Sequence, residues 1–106
     1  MMKDLLSPME SMYSDGYFPN FLVDKVKNEI EGLVQFLQEG KHSEAAVQER
    51  LDVMTKAINE IQEEFWENDS EIETVARDTI AETVENVLKA FDFDIDLETA
   101  LREREW

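Results

Sequence analysis

The stretch that decides the fold is Val47-Gln48-Glu49-Arg50-Leu51-Asp52-Val53-Met54-Thr55-Lys56-Ala57-Ile58-Asn59-Glu60-Ile61-Gln62-Glu63-Glu64-Phe65. Val47, Leu51, Met54, Ile58, Ile61 and Phe65 recur in it at steps of four and three, which puts them on one face of a long helix. Just upstream, Ser43 is placed to cap that helix by accepting a hydrogen bond from an early, otherwise unpaired N–H, and Glu44 suits the positive first turn. The helix is expected from about Glu44 to Glu67.

Downstream, Asn68-Asp69-Ser70 carries turn chemistry, and Ser70-Glu71-Ile72-Glu73 matches a capping box for a second helix. Its apolar face is Ile72, Ala76, Ile80, Val84, Val87 and Phe91, with Leu88 beside it, and the short break makes the two helices an antiparallel hairpin. Upstream, Pro19 suits the first turn of a helix carrying Leu22, Val26, Ile30, Leu33 and Leu37, which Gly40 ends. Gly32 inside that pattern marks a close helix crossing. Ser7-Pro8 starts a short helical turn that ends at Asp15-Gly16, and Asp96 caps a short helix with Leu97, Ala100 and Leu101. No strand hairpin, repeat or linker interrupts the chain. The fold class is therefore all-α: a compact bundle of three main antiparallel helices with short flanking N- and C-terminal helices, in one domain spanning residues 1–106. Phe91, Phe93, Ile95, Trp106, Tyr13, Tyr17, Phe18 and Phe21 are expected to pack at the ends of the bundle.

Charge narrows the function. The 106 residues hold 26 acidic and 10 basic side chains, a formal net charge of −16, so gripping bare nucleic acid or an anionic membrane surface is disfavoured. An apolar content of 42% nevertheless suits a folded domain. Met1-Met2-Lys3-Asp4-Leu5-Leu6 lacks the apolar run of a secretory leader, and there is no cysteine, so a cytoplasmic location is expected.

Between Ala57 and Leu88 stand ten carboxylates and one cation, Arg77. Glu60 with Glu63, and Glu82 with Glu85, lie three apart on one helix face each, a spacing that can present two carboxylates to Mg²⁺. That spacing resembles the all-helical nucleoside-triphosphate pyrophosphohydrolases, and the resemblance implies Glu60, Glu63, Glu82 and Glu85 as magnesium ligands, with Glu85 where that family has Asp. On a helical projection, however, Glu60, Glu63 and Glu67 fall opposite one apolar stripe and Asp78, Glu82 and Glu85 opposite the other, so both acidic stripes face out, whereas bundle metal sites project inward. A dimer across those faces would be needed to build such a site.

The run Asp92-Phe93-Asp94-Ile95-Asp96 fails as a calcium loop, because Leu97 occupies the position that needs glycine. His42, the sole histidine, is expected to be exposed, and Arg77 to clamp Glu73 or a neighbouring acid.

Tyr17-Phe18-Pro19, Phe21-Leu22-Val23-Asp24-Lys25, Glu67-Asn68-Asp69-Ser70-Glu71-Ile72-Glu73-Thr74 and Arg104-Glu105-Trp106 together resemble a small bacterial family of acidic helical proteins catalogued as a domain of unknown function. The resemblance spans nearly the whole chain and implies that Trp106 is packed or used in a contact; it implies no activity, cofactor or catalytic residue. The expected function is a non-enzymatic interaction protein that binds a basic protein partner through Glu60, Glu63, Glu64, Glu67, Asp78, Glu82 and Glu85, similar in composition to toxin-neutralising immunity proteins, with no cofactor. The alternatives are the magnesium-dependent hydrolase and a homodimer formed through an apolar end.

Overall fold

In the computed structural model, which describes residues 5–106, a 3₁₀ turn (Ser7–Met9) leads into α1 (Glu10–Ser14), α2 (Asn20–Gln38), α3 (Glu44–Glu67), α4 (Thr74–Ala90) and α5 (Leu97–Ala100). Met1–Asp4, the start of the stretch that bears on a secretory leader, lie outside the described residues. The three long helices and their short flanking elements form the expected all-α bundle, with a radius of gyration of 13.2 Å, close to what a single domain of this length gives.

Helix α3 starts and stops where its sequence signals place it. The Ser43 hydroxyl accepts from the Ala46 N–H at 3.1 Å, and Val47, Leu51, Met54, Ile58, Ile61 and Phe65 are buried. The predicted stripes of α2 and α4 are buried likewise, from Leu22 to Leu37 and from Ala76 to Leu88. Leu6, Met9 and Met12 join the same core from the N-terminal turn and α1. Helix α2 packs along α3, where Lys25 bridges to Glu64 at 2.5 Å, and α4 packs against the Ser7–Met9 turn and α1.

Local signals were redirected at three places. Ser70 does not cap α4, whose N-cap is Glu73 with no side-chain hydrogen bond; the Ser70 hydroxyl, 2% exposed, donates to the Tyr17 carbonyl at 3.0 Å. The Ser70 N–H closes α3 onto the Phe65 carbonyl at 2.8 Å, while Asp69, at φ 56°, donates to the Trp66 carbonyl. That is a Schellman stop with aspartate in the left-handed position usually held by glycine. The same pattern ends α4: Asp92, at φ 62°, bonds the Lys89 carbonyl and Phe93 the Leu88 carbonyl. Asp92-Phe93 thus terminates a helix, and Asp96 caps α5 by accepting from the Glu98 N–H. Pro19 precedes α2 as its N-cap, its carbonyl receiving the Leu22 and Val23 N–H groups, rather than entering the first turn.

His42 is half-buried, not exposed. Its ring stacks on Phe36 at 3.9 Å and its Nε2–H donates to the Phe36 carbonyl at 2.7 Å, a second donor to an oxygen that also accepts the Glu39 N–H at 3.3 Å at the end of α2. Gly32 marks a close approach of a different kind from a helix crossing: a Cβ there would stand 2.7 Å from Arg50 Nη2, so the missing side chain houses a guanidinium that α3 sends across.

Candidate functional site

Helix periodicity that turns one side of α3 and α4 inward must turn the other outward, and the candidate acids follow it. Glu60, Glu63, Glu67, Asp78 and Glu82 are exposed, and none lies in an ion pair among the described residues. Glu64 and Glu85 are half-buried and each meets one lysine, Lys25 at 2.5 Å and Lys89 at 3.6 Å. Arg77 is exposed and clamps no carboxylate within 4 Å among the described residues; its link to Glu73 is the helical bond from its own N–H to the Glu73 carbonyl.

Three of the four paired carboxylates border cavities, and not the same one. Glu60 and Glu63 line one of about 390 Å³ together with Lys56, Asn59, Glu103 and Glu105, whereas Glu85 lines another of about 320 Å³ with Lys89 and the Phe93–Leu97 connector. Among the described residues no three carboxylate or imidazole side chains are grouped as a metal would require. Within one copy, then, Glu60, Glu63, Glu82 and Glu85 are not brought to a common point.

The C-terminal segment completes the acidic side of α3, and polar side chains of α3 hold it there. Gln48 Nε2 donates to the Thr99 carbonyl at 2.9 Å. Arg102 grips Asp52 through two nitrogens, at 3.1 and 2.6 Å. Asn59 then closes on the backbone with both ends of its amide: Nδ2 donates to the Glu103 carbonyl at 2.7 Å and Oδ1 accepts the Glu105 N–H at 2.9 Å. The hydrogen bond from Arg102, first, and its charge hold the Asp52 carboxyl below its ordinary range against the opposing effect of burial. This strap sets Glu103 and Glu105 beside Glu60 and Glu63 and packs Trp106 to 9% exposure.

Neither the strap nor Trp66 stands out in the helical periodicity of the sequence. Trp66 is 53% exposed, and Tyr17 and Phe21, expected to pack at the bundle ends, are 41% and 51% exposed. Trp66 directly follows Phe65, the last residue of the α3 stripe, and that spacing is the signal that places it at the edge of the core. Gln62, four after Ile58 and three before Phe65, was legible in the same way as a polar residue on the apolar stripe, and it is 8% exposed.

An all-helical domain with exposed, largely unpaired carboxylates and several exposed aromatic residues is the class these features define. The chain belongs to the family described as "Family of unknown function (DUF5713)", whose pattern matches residues 3–106. No curated protein and no solved structure matches it. No helix among the described residues is long and apolar enough to cross a membrane.

Proposed function

We propose that the chain is a cytoplasmic, bacterial interaction protein without catalytic activity, which presents the acidic side of α3 and α4 to a basic protein. The observation that carries this reading is the set Glu60, Glu63, Glu67, Asp78 and Glu82: five exposed carboxylates without an ion pair among the described residues. Glu64 and Glu85 extend the set, each sharing its charge with one lysine.

Fixed like charges on rigid helices repel one another in the free protein. A cationic partner relieves that repulsion and is steered toward the surface before contact, in the manner of immunity proteins on their cationic targets. The test is to capture the partner on the immobilised protein, purify it, and titrate the pair at rising salt. Affinity is expected to fall about tenfold or more across the range in which the Debye length shrinks from about 10 Å to about 3 Å. A salt-independent affinity overturns the proposal.

A further inference from the structure

Beside the acidic stripe, the end of α3, the approach to α4 and the strapped C-terminal segment enclose a groove of about 310 Å³. Two residues of its lining each carry a buried polar atom with no hydrogen-bond partner among the described residues: Gln62 Oε1, an acceptor, and Trp106 Nε1, a donor. Their residues are 8% and 9% exposed. Leaving such atoms unpaired costs free energy that buried groups in folded proteins are almost always spared. An acceptor and a donor in one groove are complementary to a peptide backbone, which offers an N–H to the first and a carbonyl to the second.

The rest of the lining selects the side chain. Trp66 supplies an exposed aromatic face, and Glu71, Glu73 and Glu105 supply negative charge against Arg77 as the cation of the lining. An arginine or lysine side chain satisfies both features, by cation–π contact and by charge, provided that it falls away from Arg77.

We infer that this groove takes an extended segment of a protein partner, its backbone paired with Gln62 and Trp106 and a basic side chain laid on Trp66 among Glu71, Glu73 and Glu105. The inference rests on the proposal of a basic partner and adds to it the site and the form in which the basic chain is recognised. Charge alone would attract a cation anywhere on α3 and α4; the unpaired acceptor and donor ask for backbone amides at one place.

The two tryptophans give two indole N–H resonances in a ¹⁵N-labelled sample, assigned with Trp66→Phe. The probe is a capped glycine–arginine repeat peptide, compared with a sarcosine–arginine peptide of equal charge that lacks the glycine N–H donors. The expected result is movement of the Trp106 indole and Gln62 side-chain amide signals, affinity about tenfold weaker for the sarcosine peptide, and loss of the difference between the peptides in Gln62→Met at an unchanged thermal midpoint. Trp66→Ala, at an exposed position, is expected to weaken both peptides.

Equal affinity for the two peptides, or a stationary Trp106 signal, overturns the groove. If in that case binding is still lost on combining Glu60→Lys, Glu63→Lys and Glu67→Lys, the acidic-surface proposal stands without it. Failure of the peptide to bind at all refutes the groove and leaves the acidic surface to the salt titration of the captured partner.

Discussion

Asp69 and Asp92 hold φ values of 56° and 62°, in the region where a Cβ crowds the following carbonyl. Aspartate tolerates that conformation better than most residues, and glycine better still. Asp69→Gly is therefore expected to stabilise the protein by about 0.5–1 kcal/mol, raising the thermal midpoint by a few degrees, and it also removes one of many like charges. Asp69→Ala keeps the charge change without the conformational relief and is expected to lower the midpoint relative to Asp69→Gly. Ser70 shows why such positions are hard to read from a chain alone. Its spacing to Glu73 fits a capping box, but its hydroxyl bonds the carbonyl of Tyr17, 53 residues away. A tertiary partner won over a local one, and nothing in the neighbouring residues marks Tyr17 as that partner.

Among the elements, the long helices were legible because burial on one face imposes a period, and each stripe read from the sequence is buried apart from the half-buried Phe91 that ends the one on α4. The strap was not legible, because a segment held by the Gln48 and Asn59 side chains on its backbone and by Asp52 on the Arg102 side chain, all 44 to 51 residues away, carries no period. Asn59 makes two of those bonds, so Asn59→Ala is expected to cost about 2 kcal/mol and to red-shift tryptophan emission as Trp106 loses its packing. The Asp52–Arg102 pair gives the strap a pH dependence. Its hydrogen bonds lower the Asp52 carboxyl in the folded protein, so its stabilisation is present above the unfolded carboxylate range near pH 4 and is lost as the pH falls through the lowered value. Arg102→Gln is accordingly expected to lower the thermal midpoint at pH 7 and to have a shrinking effect below pH 4, as melting curves at both pH values would show.

For the whole molecule, a net charge of −16 on a domain of 106 residues means that the folded state carries considerable self-repulsion, which any cation relieves. Millimolar Mg²⁺ is expected to raise the thermal midpoint no more than NaCl at equal ionic strength, because Glu60 and Glu63 border one cavity and Glu85 another, and no three such side chains are grouped among the described residues. An excess shift with Mg²⁺ that disappears in Glu60→Gln or Glu82→Gln would instead favour a metal-dependent enzyme built from two copies. The acidity and its outward direction were plain in the sequence. Which carboxylates share a surface was not, since Glu103 and Glu105 reach Glu60 and Glu63 only through the strap.

If the acidic side of α3 is a binding surface rather than a solubilising coat, the positions of its charges matter and not only their sum. The most direct measurement compares two triple variants with the same altered charge, −10 in place of −16, for affinity toward the captured basic partner. One variant combines Glu60→Lys, Glu63→Lys and Glu67→Lys; the other combines Glu39→Lys, Glu49→Lys and Glu98→Lys, at exposed positions outside the proposed set. A binding surface predicts a loss of about a hundredfold or more in the first and less than about tenfold in the second. Equal losses in the two would show that net charge alone governs the association and that the α3 acids form no binding surface.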